Sequence, residues 1–362
     1  MGPDLAAGLP FGVSLSISPA SRALLIGAGA ALTLIVAFPP MRTERRVLLM
    51  WGLVGLAGMA AIAIAPNLDI VILIVLALAL AQSAAGGKRP TAVRLRGPAI
   101  AVALLGAAML LARAEGPQLL DRFAAVGLVA GLSAGLGILP YIHRFDPDEL
   151  TGASPIPWLA FVGPILAVAV VTRAGQLVPG AAGVFSAALI GLGLLNVVWG
   201  CLASWHTESG PAAWHYSFMA DWGLVLCAFG LGLTEGQGSA VLVLYSLLIG
   251  RLPLYLWSRP ALRERTQTDR PVNLLAAAML AGSAPFAGFA ARVLLLRAAT
   301  EVYWPLALVI AAGLLLWLPS SLRLGRSLGL PKGRQLVGVG IALALNLAIG
   351  LYPQPILALA GL

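Results

Sequence analysis

Charge is scarce in this 362-residue chain: 10% of its residues are charged and 60% are hydrophobic, whereas an ordinary soluble domain is about 25% charged. Mean hydropathy is +0.94. A soluble globule needs polar residues over most of its exterior, so this composition excludes a soluble architecture and specifies a polytopic membrane protein. Only two cysteines occur, Cys201 and Cys227, fewer than the roughly four thiolates of an iron–sulfur cluster. No CxxC spacing provides for zinc or thiol redox chemistry, so no metal or other cofactor is expected. Histidine is confined to His143, His206 and His215, and no Ser-His-Asp, HExxH or phosphate-cradling glycine pattern is present. The net charge of +9 is spread over short loops and forms no single basic face, which argues against nucleic acid as a partner.

What the chain has in quantity is apolar sequence. Runs fall near 22–40, 47–65, 69–86, 98–113, 123–142, 158–175, 183–204, 216–233, 238–257, 273–299, 302–321 and 335–353, each close to the roughly 20 residues a spanning helix needs. About 12 transmembrane helices therefore form one membrane domain over 1–362, with almost nothing left for a soluble domain. Residues 1–21 lack the basic start and uniform apolar run of a cleaved signal peptide, so the N-terminus reads as mature.

Alternate loops carry Arg42, Arg45 and Arg46; Lys88, Arg89, Arg94 and Arg96; Arg144; Arg259, Arg263, Arg265 and Arg270; and Arg323, Arg326, Lys332 and Arg334. The positive-inside rule puts these loops in the cytoplasm and both termini on the outer side of the cell inner (plasma) membrane. The loop 206–215 has no Lys or Arg and the rule is silent there. Trp51, Trp158, Trp205, Trp214, Trp257 and Trp304 lie near span ends and read as interfacial anchors.

The fifth span holds Gly137-Ile138-Leu139-Pro140 and the tenth holds Gly282-Ser283-Ala284-Pro285. Proline removes a backbone donor and glycine removes the side chain that resists unwinding, so both helices are candidates for a break. Interruptions at matching places in two halves are a sequence pointer to an inverted repeat with functional groups near the midplane. Membrane helices are also rich in glycine and proline for other reasons.

Charge at membrane depth is a functional hypothesis by default. Asp221 in the eighth span and Arg251 in the ninth sit at similar depth and are expected to form an ion pair, as a structural pair or as part of an ion path. Arg292 stands seven residues after Pro285, too far from a span end to snorkel easily, and needs water, a carbonyl freed at the break or a neighbouring acid. Arg173 and Arg297 lie nearer span ends and read as snorkelled; Asp69 and Glu235 read as solvated boundary acids. His143 and His215 suit a proton relay because imidazole titrates near neutral pH, although a loop histidine at the interface is more often solvated.

The stretch Pro140-Tyr-Ile-His143-Arg-Phe145-Asp-Pro147-Asp148-Glu-Leu-Thr-Gly152-Ala153-Ser-Pro155 resembles the signature loop of antiporter-like membrane subunits. Those subunits serve respiratory complex I, related hydrogenases and multisubunit sodium/proton antiporters, with an approximate pattern PFHxWxPDxYxGAPTP. Three further stretches follow in the family's order: Tyr216-Ser217-Phe-Met-Ala220-Asp221-Trp-Gly223, Ala281-Gly282-Ser-Ala-Pro285-Phe-Ala-Gly288-Phe289-Ala-Ala-Arg292, and Gly350-Leu-Tyr352-Pro353-Gln-Pro355. They resemble AYSSIAHxG, AGIPPxxGFxxK and GLYPxP, with the complex I subunit N type the most similar. The resemblance implies two inverted five-helix repeats, each with a broken helix, at about 47–175 and 183–321, flanked by helices at 22–40 and 335–353. The family's usual fourteen helices are shortened here by about two at the N-terminal side.

The departures bear on mechanism. Members of the family conduct protons through an acidic residue and several lysines. Here the segment aligned with the acid, Ile70 to Leu80, is apolar; the lysine expected near Ala134 to Leu136 is absent; the next is Ile165; a Lys-Arg pair is Pro211-Ala212; and the family histidine is Asp221. Only the last lysine keeps a cation, Arg292, which holds its proton permanently. Two readings follow from the resemblance. One is an antiporter-like subunit taking part in proton or sodium translocation within a complex I-like quinone oxidoreductase or related complex, itself at most a non-redox subunit. Asp221 would then be the exchangeable acid, Arg292 a fixed countercharge, and His143 or His215 a relay. The other is a non-conducting structural or assembly subunit. A standalone solute transporter is a distant third reading. Other membrane subunits and the lipid bilayer are the expected partners.

Overall fold

The computed structural model describes residues 17–39, 45–84, 91–114, 118–142, 161–331 and 333–362, with backbone alone for 82–84 and 91–94. His143 and most of the signature loop lie outside the described residues.

The described residues form helices and no strands, as a bilayer requires of a chain that is not a closed barrel. In order they are α1 (Pro19–Ala37), α2 (Arg45–Ile64), α3 (Leu68–Ala84), α4 (Thr91–Arg113), α5 (Gln118–Leu136), α6 (Gly163–Leu177), α7 (Ala182–His206) and α8 (Gly210–Gly230). There follow α9 (Thr234–Ser246), a π turn (Leu247–Arg251), α10 (Leu252–Glu264), α11 (Pro271–Leu280), α12 (Ala287–Leu315), α13 (Trp317–Arg326), α14 (Arg334–Leu351) and α15 (Gln354–Leu359). Among the described residues, eight helical stretches are long and apolar enough to cross a membrane, and 68–81, α6 and α11 are shorter apolar helices. This is a multi-pass membrane protein. Helix α12 is kinked at Tyr303, whose backbone is extended, just before Pro305 removes an amide donor.

Both helix interruptions have one backbone design. Helix α5 ends where Gly137 takes φ 62° and α11 ends where Gly282 takes φ 60°, a left-handed conformation that glycine adopts without a Cβ penalty. Gly137 N donates to Ala134 O and Ile138 N to Ser133 O; likewise Gly282 N donates to Met279 O and Ser283 N to Ala278 O. These paired bonds are the Schellman termination of a helix. A cis proline follows each, Pro140 and Pro285, and Tyr141 N to Ile138 O is matched by Phe286 N to Ser283 O.

The stretch from α9 through α10 is the most deeply buried of the candidate spans. Helices α7 and α8 cross at backbone contact: a Cβ on Gly193 would lie 2.6 Å from Gly223 O, and one on Gly200 would lie 2.7 Å from Tyr216 O. Small residues that admit such approach drive helix association where lipid removes the hydrophobic incentive. This crossing fixes α8, and with it Asp221, in the protein interior.

Thr268 N donates to Arg326 O and Arg326 pairs with Asp269 at 2.5 Å, so two basic loops lie together. Arg323 donates to Ser204 O and Trp205 O at 3.2 and 2.9 Å, which brings the loop 206–215, without Lys or Arg, to that same end. Elsewhere Asp69 pairs with Arg113 at 2.6 Å and Glu235 with Arg297 at 2.9 Å, so both boundary acids are ion-paired. Trp214 and Trp257 are corrections to the anchor reading. Both are buried, with Trp214 Nε1 donating to Ser327 Oγ at 3.0 Å and Trp257 Nε1 to Phe38 O at 2.6 Å. Trp205 and Trp304 are exposed.

Candidate functional site

The break after α11 releases the last carbonyls of that helix, and two arginines take them. Arg251, at the end of the π turn, donates Nη2 to Leu280 O at 2.9 Å; Arg292, on α12, donates Nη1 to Ala281 O. Cations at a helix C-terminus offset the partial negative charge of its unsatisfied carbonyls. The carbonyl freed at the break is thus one of the groups that accommodate Arg292 so far from a span end.

Asp221 supplies the compensating anion. Its carboxylate forms a direct ion pair with Arg251 Nε, with 10% and 6% of the two side chains exposed. Arg251 Nη1 also donates to Ser217 Oγ, one turn before Asp221 on α8. The π turn carries Arg251 into this position: Leu252 N bonds to Leu247 O, a one-residue widening of the kind common at functional sites. Asp221 is the one buried acidic residue among the described residues.

Trp317, the first residue of α13, joins both cations. Its ring centroid is 5.5 Å from Arg251 Cζ and 5.0 Å from Arg292 Cζ, within the range of cation–π attraction. Asp221, Ser246, Gly282 and Arg292 border a cavity in which water centres can occupy about 20 Å³, room for roughly one water molecule.

Of the residues singled out from sequence, Asp221, Arg251, Arg292, Gly282 and Pro285 therefore lie at one place. Gly137 and Pro140 lie at the other break, where Leu139 N donates to Asn196 Oδ1 at 3.0 Å. His215 is on α8, six residues from Asp221 and so about 9 Å along the helix, with its ring 6.0 Å from that of Tyr216; it does not border the cavity. Ile165 is fully buried, and Ser133 through Leu136 are buried. Sequence reasoning did not single out Trp317 or Ser246. No spacing links them to the arginines, because the link is made by tertiary packing of α13 and α9. No cluster of His, Cys, Asp and Glu suited to a metal occurs among the described residues.

This geometry defines a helical membrane protein with a charged centre at a broken helix. No protein-family model matches the chain. Two sequences of NADH-quinone oxidoreductase subunit M from Mycobacterium tuberculosis strains are 22% identical to it over 244 residues, 59% of this chain and 44% of theirs. The chain thus spans less than half the length of the curated relatives it matches. Among solved structures, a chain of the Mrp complex of a Dietzia species matches with a TM-score of 0.77 at 15% identity, over 99% of this chain and 46% of that one. A chain of the archaeal membrane-bound sulfane sulfur reductase gives 0.77 at 18% identity, over 98% and 84%. A chain of respiratory complex I from Thermus thermophilus gives 0.68 at 13% identity, over 96% and 85%. The chain has the fold of these chains of membrane complexes and resembles NADH-quinone oxidoreductase subunit M in sequence over 59% of its length.

Proposed function

We propose that this chain is an antiporter-like subunit of a multisubunit membrane complex of the complex I type, taking part in proton or sodium translocation through its second half. On this reading it comprises two inverted repeats, about 47–175 and 183–321, within a twelve-helix domain, with the basic loops in the cytoplasm and both termini outside. The observation that carries the reading is Asp221, a buried carboxylate beside a water-sized cavity at the helix break, paired with Arg251 and near Arg292. Asp221 serves as the exchangeable acid, Arg251 and Arg292 as fixed countercharges, and His215 or His143 as a relay.

Two asymmetries support assigning the role to the second half. Trp222 Nε1, Asn273 Oδ1, Trp317 Nε1, Ser321 Oγ and Asn346 Oδ1 are buried without a hydrogen-bond partner, and buried polar groups of this kind are ordinarily satisfied by internal water. All five belong to the second half or the helix after it. The first half instead places apolar Ile165 where the family carries lysine.

A scaffold role has its own observation: both cations are arginines bound to helix-end carbonyls, and arginine does not release its proton. Asp221→Asn separates the two readings. In the intact complex reconstituted into vesicles, lost pumping with unchanged assembly is the expected result; unchanged pumping would leave the scaffold reading standing.

A further inference from the structure

Arg292 stands where the resembled pattern has lysine, and its surroundings fit a planar cation. A Cβ on Gly282 would lie 2.6 Å from Arg292 Cζ, 2.7 Å from Nε and 2.8 Å from Nη1. The guanidinium therefore rests directly on the bare Cα of the break glycine. The Trp317 ring lies 5.0 Å from the same Cζ, so indole and glycine together bound the guanidinium. Helix α12 supports the glycine in turn: a Cβ on Gly288 would approach Gly282 Cα to 2.9 Å. A flat, delocalised cation stacks on an aromatic face in a way that a compact, strongly hydrated ammonium does not.

Trp317 also reaches Arg251, which alone bonds to Asp221. Two like charges beside one carboxylate repel and compete for it. An indole lying against both offers each cation an attraction that does not consume the carboxylate. Trp317 is 1% exposed, so its cation–π contacts are desolvated and strong for their kind.

We propose that Trp317 is a positioning residue: with Gly282 it forms a slot for the Arg292 guanidinium, and through the same ring it steadies Arg251 on Asp221. The proposal rests on the reading of Asp221 as the functional acid. Residue 292 is arginine because the slot is shaped for one, and the centre carries a permanent rather than a labile second charge.

The test places tryptophan, monofluoro-, difluoro- and trifluorotryptophan singly at position 317 by nonsense suppression, in the intact complex isolated through a tag on this chain. Fluorine drains the ring's negative face while nearly preserving its shape. Pumping rate and the thermal half-life of the assembled complex are both expected to fall stepwise, by roughly three- to tenfold over the series. The same series at Trp214, buried and bonded to Ser327, is expected to be flat. Arg292→Lys should lose pumping as Trp317→Leu does, while Trp317→Phe retains most of it. Flat responses in both readouts at position 317 would overturn the proposal, whatever Asp221→Asn does. If Asp221→Asn leaves pumping intact, the functional reading of that acid fails, and the thermal series alone then decides whether Trp317 holds the arginines.

Discussion

Arg251→Met is expected to destabilise the protein by about 3–5 kcal/mol, the cost of leaving one member of a buried ion pair without its partner. Loss of Arg251 strands the Asp221 carboxylate in an interior where 10% of that side chain is exposed. It also removes the donors to Ser217 Oγ and Leu280 O. Removing both charges is a different experiment. In Arg251→Met with Asp221→Leu the stranded carboxylate is gone, although Arg292 is left with Ala281 O and no anion, and replacement of a buried pair by apolar side chains of similar volume is often neutral. The double variant is therefore expected to be more stable than Arg251→Met alone, as read from thermal denaturation of the purified complex. A third variant calibrates the scale. Arg113 and Asp69 are closely paired at 2.6 Å, but with 56% and 43% exposure, so Arg113→Ala is expected to cost about 0–1 kcal/mol. Equal losses for Arg251→Met and Arg113→Ala would contradict the burial argument.

Gly350→Ala is expected to be the most damaging glycine-to-alanine change among the described residues. A Cβ there would lie 2.1 Å from Pro285 O, 2.3 Å from Phe286 C and 2.6 Å from Ala287 N. Every one of those atoms is backbone, so no side chain can swing aside; either α14 or the break itself has to move. Overpacking of a core costs about 1–3 kcal/mol where side chains can yield, and this site should reach or exceed the upper figure. Ten residues earlier on the same helix, Gly340 has nothing within 4 Å of its added Cβ. Gly340→Ala should be neutral or slightly stabilising, since alanine is the better helix former by about 1 kcal/mol. Assembly levels of the two variants in native membranes provide the measurement, with loss confined to Gly350→Ala as the expected result.

The break glycines show how much was legible in sequence. Gly137 and Gly282, each three residues before a proline, coincide with two helix ends because the chemistry is local: a left-handed glycine and a residue without an amide donor terminate a helix wherever they stand. The pairing of Asp221 with Arg251 was legible too, because antiparallel neighbouring spans with charges at equal depth leave few alternatives in lipid. Trp317 was not. Its role depends on α13 folding back beneath α11 and α8, and no periodicity in 302–321 encodes that contact. The same limit explains Trp214 and Trp257, which sit near span ends in the sequence yet are buried because neighbouring helices cover them. The π turn at Leu247–Arg251 is likewise invisible in the run 238–257, whose apolar residues would fit an unbroken α-helix equally well.

The asymmetry between the halves leads to the most direct measurement. Asn196 holds the first break through its bond to Leu139 N, and Asp221 anchors the charge centre at the second. Ions translocated per turnover should be measured in vesicles containing the intact complex, side by side for the wild type, Asn196→Leu and Asp221→Asn. The account predicts an unchanged ratio for Asn196→Leu and a lowered ratio for Asp221→Asn at equal assembly. An unchanged ratio for Asp221→Asn, or a fall confined to Asn196→Leu, would contradict it.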